Sequence, residues 1–276
     1  MLKKIFPVVL MPVLVVLLFN LVVFSRANAE TKSDSMIENA LERESLKVGF
    51  STFVPWAMQD KNGEFIGFEV DVARKLAADL GVKLELVPVK WAGILPALLT
   101  GQFDIIIGGM SVTTERNLKV NFTVPYDFAG LSLVAHKAKA ENLKTLNDFN
   151  KAECLIAART GTSAAFSIKL ALPKAKLLLF DEEAQAVQEL LNGRVHAFVS
   201  GEPLPSAMVL EYPDKLFIPE NAEIFAKEPV AFAIRKNDFD SLNVLDNWVR
   251  RQESLGWLAE RRHYWFKTDE WKDKIK

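Results

Sequence analysis

The segment around Arg116 carries the residue types best suited to bind a carboxylate. A threonine three positions earlier has the side chain of a helix N-cap, which places Arg116 in the first turn of a predicted helix. The free N–H groups of a first turn favour an anion, and a guanidinium adds two parallel charge-assisted hydrogen bonds. Ser111 and the backbone of Gly109, from the same loop, would complete the site. The alternative is a surface arginine paired with Glu115 or Asp127.

The sequence offers no recognisable catalytic or metal-binding pattern. The histidines, His136, His196 and His263, stand far apart, and none has metal-ligand spacing to another histidine or to the single cysteine, Cys154. There is no Ser-His-Asp or Cys-His arrangement, no P-loop and no dinucleotide-binding glycine pattern. A metal site assembled in space stays open, but we expect neither a metal nor a cofactor. We interpret Cys154, which has no disulfide partner, as a small buried side chain of a strand.

The composition limits the size and the partners of the fold. The chain has 276 residues, of which 50% are hydrophobic and 25% are charged, with a formal net charge of −1. This length allows one large domain or two modest ones, each with its own core. Because the charge is balanced and no basic run occurs, nucleic acid is not an expected partner.

The first residues have the features of an export signal. Lys3 and Lys4 precede an apolar run over residues 5–24, and Ala27-Asn28-Ala29 matches an A-x-A cleavage site. We predict a signal peptide over residues 1–29, a mature chain that starts at Glu30, and a periplasmic location. An uncleaved membrane anchor is the alternative, because the apolar run approaches the length that spans a bilayer.

Strand and helix patterns alternate along the rest of the chain. Predicted strands span residues 46–50, 83–87, 104–108, 153–158, 176–180 and 195–200, and predicted helices span 68–80, 93–99, 162–172, 182–191, 203–210, 238–253 and 257–266. This βαβ patterning indicates mostly parallel sheets covered by helices on both faces. Two such sets predict two lobes, and a cleft between lobes is a preferred small-molecule site.

Four segments stand out when they are taken together. They are Gly63-Glu64-Phe65-Ile66-Gly67-Phe68-Glu69-Val70-Asp71, the stretch 108–126 with Thr113-Thr114-Glu115-Arg116, the loop Thr160-Gly161-Thr162-Ser163, and the stretch 256–266 with Gly256-Trp257-Leu258 and Tyr264-Trp265-Phe266. In this order and spacing they resemble the family 3 extracellular solute-binding proteins, which are polar-amino-acid receptors of ABC importers. The resemblance covers residues 46–266.

The resemblance implies an α/β fold of the two-lobed periplasmic-binding-protein class, type II. Each lobe would be a mostly parallel sheet flanked by helices, joined to the other by a two-strand hinge. Residues 30–131 and 231–276 would form a discontinuous first lobe, and residues 132–230 the second. The strands would cross near residues 130–133 and 229–231, and bending there would close the lobes over a ligand.

The resemblance also implies further binding residues. Phe53 and Trp91 stand where this family presents an aromatic wall to the ligand, although core packing is the alternative for both. Thr162 and Ser163 resemble the donors of the second-lobe loop, with helix capping as the alternative. Arg159 stands where some members face the ligand side chain with a charge, and a solvated arginine at a strand end is the alternative.

One position departs from the family. Amino-acid-binding members carry an aspartate after the strand at 195–200, where it neutralises the ligand's α-ammonium, and here that position is Gly201, followed by Glu202. A buried ammonium without a partner is costly. Either Glu202 substitutes for the aspartate, or the ligand lacks an α-ammonium. Together with Arg116 and Arg159, the missing aspartate favours a more anionic ligand such as an acidic amino acid or a dicarboxylate.

The sequence therefore predicts a periplasmic solute-binding component of an ABC importer, without enzymatic activity. Its expected partners are a polar amino acid or related small carboxylate and the importer's permease in the inner membrane, and we expect a monomer. The predicted ligand-binding set is Phe53, Trp91, Gly109, Ser111, Arg116, Arg159, Thr162, Ser163 and Glu202. The alternative is a periplasmic enzyme of the same fold, a dehydratase that acts on a cyclic carboxylate with Glu202 as general acid.

Overall fold

Two large β-sheets, each flanked by helices, and one small two-stranded sheet organise residues 35–275, which is the part of the chain that the computed structural model describes. The proposed signal peptide at residues 1–29 lies outside these residues. Within 35–275 no helix has both the length and the apolar character needed to cross a membrane.

Thirteen strands and nine helices follow one another in the described residues. The strands are β1 (Ser45–Phe50), β2 (Met58–Gln59), β3 (Phe65–Ile66), β4 (Lys83–Pro88), β5 (Ile105–Ile106), β6 (Asn121–Phe122), β7 (Asp127–His136), β8 (Leu155–Arg159), β9 (Lys176–Phe180), β10 (Ala197–Gly201), β11 (Leu216–Phe217), β12 (Ala226–Val230) and β13 (Ala233–Ile234). The helices are α1 (Met36–Glu42), α2 (Phe68–Leu80), α3 (Ile94–Leu99), α4 (Thr114–Asn117), α5 (Ser163–Ala171), α6 (Glu183–Leu191), α7 (Leu204–Glu211), α8 (Phe239–Ser254) and α9 (Trp257–Lys267). Short 3₁₀ turns lie at Trp91–Gly93, Leu146–Phe149 and Lys272–Lys274.

Each sheet is mostly parallel and contains one reversed strand. Sheet one has the order β4-β1-β5-β13-β6, with β13 antiparallel to both of its neighbours. Sheet two has the order β11-β7-β10-β8-β9, with β12 also paired to β7, and here β7 runs against its neighbours. This confirms the α/β two-sheet architecture predicted from the βαβ patterning.

A two-stranded ribbon links the sheets. β7 and β12 pair antiparallel from Asp127 opposite Val230 to Leu131 opposite Ala226. β7 then continues into sheet two, whereas the chain beyond β12 enters β13 of sheet one. All strands of sheet two come from residues 127–230, and those of sheet one come from 45–122 and 233–234. The lobe boundaries at residues 131 and 231 stay a prediction.

The carboxy-terminal helices return to sheet one. Helix α2 ends where Gly81 adopts φ 72°, a left-handed conformation that glycine tolerates best. Two acidic residues of α2 accept hydrogen bonds from tryptophans of the last two helices. The indole N–H of Trp248 donates to Asp79 at 2.9 Å, and that of Trp265 donates to Asp71 at 2.7 Å. Because α8 and α9 pack on α2, residues distant in sequence share one core, and a separate core fills sheet two.

Candidate functional site

A cavity lies where the carboxyl ends of the parallel strands of both sheets face one another. In α/β folds this edge is where ligands bind, because the loops that follow the strands converge there. Its wall consists of Ser51, Phe53, Trp56, Trp91, Gly108, Gly109, Ser111, Ala129, Leu131, Arg159, Thr162, Ser163, Ala164, Glu183, Ser200 and Gly201. Sheet one, sheet two and the β7 segment of the linking ribbon all contribute to it.

An aromatic pair follows β1. Phe53 and Ala57 exchange backbone hydrogen bonds of 2.7 Å, which folds the intervening residues into a tight turn. The rings of Phe53 and Trp56 then stack with centroids 6.1 Å apart and an interplanar angle of 9°. Trp56 is 3% exposed and also packs on Phe266. Phe53 therefore presents an apolar face to the cavity on a rigid support.

Trp91, which follows β4, reaches across to the second lobe. Its indole N–H donates to the carbonyl of Gly161 at 3.1 Å. The guanidinium carbons of Arg116 and Arg159 lie 5.6 and 5.9 Å from its ring centroid, within the range of cation–π attraction. Trp91 thus lines the cavity and also lies within cation–π distance of two guanidinium groups.

The loop after β5 approaches the cavity through its backbone. Gly109 has φ +67°, and a Cβ at this position would lie 3.4 Å from the ring of Trp56. The hydroxyls of Ser111 and Ser163, one from each lobe, are 3.0 Å apart and share a hydrogen bond. Both predicted serines therefore lie at the same point of the cleft.

Arg116 lies behind this loop, outside the wall of this cavity but on the wall of an adjoining cavity that shares Trp91, Thr162 and Ser163 with it. The Thr113 hydroxyl accepts from the Arg116 backbone N–H, as the N-cap prediction required. The guanidinium donates to the carbonyls of Ser111 at 2.8 Å and Gly161 at 3.0 Å, and the residue is 8% exposed. Burial lowers the pKa of the guanidinium, which stays protonated all the same. The proposed surface pairing with Glu115 or Asp127 is not formed.

Arg159 lines the cavity at the end of β8. Its Nη2 donates to Ser51 Oγ at 2.6 Å and its Nη1 to the Thr52 carbonyl at 3.3 Å, so that it links the second lobe to the loop after β1. Arg159 is 4% exposed, so it is a buried residue and not a solvated arginine at a strand end. Its ion pair is with Glu182, at 4.0 Å.

The amino terminus of helix α5 also opens on the cavity. Thr162 is its N-cap: the hydroxyl accepts from the Ala165 N–H at 3.2 Å and donates to the Arg159 carbonyl at 2.8 Å. The hydroxyl proton of Thr162 is therefore used within the protein. The first-turn backbone of Ser163 and Ala164, with the positive end of the helix dipole, is suited to an anion.

Glu202, which was predicted to reach into the cavity, is not part of its wall. Its backbone N–H donates to the Gly130 carbonyl at 2.8 Å, and its carboxylate accepts at 3.4 Å from the N–H of Ser206, in the first turn of α7. A free amide of a first turn attracts a nearby carboxylate, which accounts for its position.

Glu183, which was not predicted, lies on the wall at the start of α6. The hydroxyl of Ser200 donates to one of its carboxylate oxygens. Burial raises the pKa of the Glu183 carboxyl, and the Ser200 hydrogen bond and the charge of Arg159 oppose that rise. Within residues 35–275 it is the one acidic residue of this cavity wall.

A second buried carboxyl, that of Glu69, lies behind the cavity wall. The Tyr126 hydroxyl lies 2.8 and 2.7 Å from the two carboxylate oxygens of Glu69, which is 1% exposed. Burial raises the pKa of Glu69 to about 8, and the charge of Asp127 acts in the same direction. The Tyr126 hydroxyl and the backbone of Gly109 oppose this rise, so Glu69 lies beside the loop that carries Ser111.

The structure thus brings seven of the nine predicted residues to one cavity and leaves two outside it. The seven are Phe53, Trp91, Gly109, Ser111, Arg159, Thr162 and Ser163, and the two are Arg116 and Glu202. A general signal was available for Glu183: it follows strand β9, whose carboxyl end belongs to the same sheet edge as those of β8 and β10.

Comparison with known proteins gives a consistent picture. The family model of the bacterial extracellular solute-binding proteins, family 3, matches residues 46–268. The L-cystine-binding protein TcyJ of Escherichia coli K12 is 26% identical over 237 residues, which cover 86% of this chain and 88% of TcyJ. The cyclohexadienyl dehydratase of Pseudomonas aeruginosa is 24% identical over 237 residues, 84% of this chain and 86% of the enzyme.

Among solved structures, the putative binding component of an ABC transporter from Wolinella succinogenes, complexed with lysine, is 38% identical with a TM-score of 0.77. The match covers 84% of this chain and all of that one. The family match spans most of the chain, the solved relative shares its architecture, and the cavity lies at the sheet edge where this architecture binds ligands. This chain belongs to the bacterial extracellular solute-binding proteins, family 3.

Proposed function

We propose that this protein captures an amino acid or a closely related small carboxylate in the cavity between its lobes and delivers it to the permease of an ABC importer. The observation that carries the proposal is the cavity wall itself, to which the first lobe contributes aromatic side chains, the second lobe contributes charged ones, and both lobes contribute hydroxyl groups. Relatives named for binding cystine, or solved with lysine, support this class of ligand.

The geometry of the cavity wall supports a position for each part of such a ligand. Its carboxylate would lie against the first turn of α5, near Ser163, where free N–H groups and the helix dipole favour an anion. Its apolar part would lie against Phe53 and Trp91. Arg116 would act mainly by holding the carbonyls of Ser111 and Gly161, and so keep both sides of the cleft in place.

Export and assembly follow from the same proposal. A signal peptide over residues 1–29 would deliver the protein to the periplasm, where a monomer would meet the permease with its lobes closed. Residues 30–131 plus 231–276 and residues 132–230 would move as two bodies about β7 and β12, because these strands are the shared connection between the sheets.

A dehydratase is the second candidate. One relative is named as a cyclohexadienyl dehydratase, and Glu183 places a carboxyl with a raised pKa at the cavity wall. Such a group could protonate a leaving hydroxyl. Glu202, the acid first considered for this role, lies off the wall. Incubation with a cyclohexadienol carboxylate would reveal this activity as the appearance of aromatic absorbance.

A thermal-shift screen of ligand-stripped protein, residues 30–276, tests the binding proposal. The panel holds the twenty common amino acids, L-cystine, dicarboxylates, keto acids and aromatic carboxylates. A ligand at a hundred times its Kd stabilises the fold by about 2.7 kcal/mol, which moves Tm by several degrees in a protein of this size. A stabilising amino acid or small carboxylate is expected, and a panel without effect on protein shown to be ligand-free would contradict the proposal.

A further inference from the structure

We propose that Glu183 is the partner of the ligand's ammonium group, so that the protein selects α-amino acids over carboxylates that lack the amino group. This inference rests on the proposed function and adds the chemical class of the ligand. It assigns to Glu183 a binding role that the sequence pattern placed at Gly201 or Glu202.

The position of Glu183 is the first support. It begins helix α6 directly after strand β9, and it lies on the same cavity wall as Ser163 and Phe53. A ligand whose carboxylate lies at the amino terminus of α5 would therefore have its remaining polar group within the same small cavity. The wall offers one acidic side chain within the described residues, and that side chain is Glu183.

The charge balance around Arg159 is the second support. Arg159 faces two neighbouring carboxylates and pairs with Glu182 at 4.0 Å. Glu182 is partly exposed and its charge is shared with solvent, whereas the Glu183 carboxylate on the cavity wall makes no ion pair within 4.0 Å in the described residues and carries an unbalanced charge when it is ionised. Burial disfavours an unbalanced charge, and a bound ammonium would neutralise it.

The third support is the space next to Glu183. A Cβ at Gly201 would lie 3.6 Å from the Phe53 ring and 4.0 Å from the Gly130 carbonyl, which are ordinary contact distances. The wall at this point is therefore backbone that would accept a Cβ without a clash. The Ser200 hydroxyl, one residue earlier, holds the Glu183 carboxylate. A ligand ammonium beside Gly201 would therefore lie next to the Glu183 carboxylate.

The test measures calorimetric affinities for matched pairs that differ in the α-amino group. L-Lysine is compared with 6-aminohexanoic acid, and L-glutamine with glutaramic acid. The variants are Glu183→Gln and Glu182→Gln; the second removes the neighbouring charge near Arg159 without touching the cavity wall. Circular dichroism checks that each variant is folded.

We expect the parent to bind at least one of the α-amino acids. Glu183→Gln should weaken that binding by roughly 30-fold or more, as the loss of one partner of a buried charge pair does. Glu182→Gln should change it by less than about threefold, as expected for a partly exposed charge. In the double variant Glu183→Gln with Gly201→Asp, binding should recover, because position 201 accepts a Cβ without a clash and the aspartate supplies a new carboxylate beside residue 183.

Different results separate the two proposals. Equal binding of the α-amino acid by the parent and Glu183→Gln would overturn the role of Glu183 and leave the receptor function standing. If the parent binds only the analogues without the α-amino group, the role of Glu183 is likewise overturned and the receptor function still stands. A parent that binds no member of this panel or of the wider screen would overturn the proposed function.

A measurement on the unaltered protein decides the matter if Glu183→Gln does not fold. The affinity ratio of each pair is followed from pH 8 down to pH 4. Since protonated Glu183 cannot neutralise an ammonium, the preference for the α-amino acid should decline toward acid pH. A ratio that does not change over this range would overturn the inference.

Discussion

The guanidinium of Arg159 and the hydroxyl of Ser51 lie 2.6 Å apart, although the strands that precede them, β8 and β1, belong to different sheets. Trp91 and Arg116 add two further bonds from the first lobe to the Gly161 carbonyl of the second. The closed arrangement is therefore held partly by bonds within the protein. On the proposed function, a ligand would add to these bonds and so shift an equilibrium between open and closed forms.

Arg159→Ala should shift this equilibrium toward the open form. The variant loses the charged hydrogen bond to Ser51, and such bonds contribute about 1.5–3 kcal/mol. We expect ligand affinity to decrease by roughly 10- to 100-fold, and small-angle scattering should show a larger radius of gyration without ligand. Arg194→Ala, which removes a surface ion pair with Glu189, is the control. An Arg159→Ala variant with the parent's affinity and radius would show that the cross-lobe bond has no such role.

Arg116→Ala should reduce both stability and ligand affinity, because two backbone carbonyls lose their donor. We expect a loss of about 1–3 kcal/mol in the free energy of unfolding, measured with urea. Arg235→Ala is the matched control, since Arg235 also donates to two carbonyls, those of Leu98 and Phe103, away from the cavity. Both variants should be less stable, but only Arg116→Ala should bind ligand more weakly. Equal ligand affinity in the two variants would show that Arg116 has no specific role in ligand binding.

The sequence predicted the fold well because its local signals agree with the tertiary structure. Helix α2 begins and ends where its apolar stripe and Gly81 indicated. Crossing strands were predicted near residues 130–133 and 229–231, but the full extent of ribbon strands β7 and β12 was not, because their residues pair across 95 to 103 positions and neither strand alternates cleanly. The predicted strand at 104–108 shortens to Ile105–Ile106, since only those residues pair.

The candidate site was predicted as a set of residues rather than as a set of contacts. Family position located Phe53 and Ser163 on the cavity wall, where the structure also places them. It could not show that Arg116 turns toward backbone carbonyls, or that Glu202 turns toward the first turn of α7. Those orientations depend on neighbours brought together by folding, and the same holds for Glu183.

Gly109→Ala should be costly in both stability and binding. Its φ of +67° is a conformation that costs a residue with a Cβ about 1–2 kcal/mol, and the new methyl group would lie against the Trp56 ring at 3.4 Å, the short limit of ordinary contact. Gly63→Ala is the control, because Gly63 has φ +82° with no atom within 4 Å of the added Cβ. Urea unfolding should show the larger loss for Gly109→Ala, together with weaker ligand binding. Equal losses of stability and unchanged binding would contradict the close approach to Trp56.

Stability should decline as pH rises, because of Glu69. Its pKa is raised from 4.5 to about 8, so the folded protein holds this proton more tightly than the unfolded chain does. The contribution is complete below pH 4.5 and is lost as pH rises through about 8, by at most about 1.4 kcal/mol per pH unit. Glu69→Gln keeps an acceptor for Tyr126 and carries no charge, so its unfolding free energy should depend less on pH. Parallel pH profiles for the parent and Glu69→Gln would contradict the raised pKa.

The most direct test of the central claim is a calorimetric titration of the ligand-stripped protein with the best ligand from the screen, alongside Gly201→Phe. The Phe side chain would fill the space beside Phe53 that an amino acid must occupy, and Gly201 has no side chain of its own to displace. We predict saturable one-to-one binding by the parent and none by a folded Gly201→Phe variant. Equal binding by both would place the ligand outside the interlobe cavity and contradict the account.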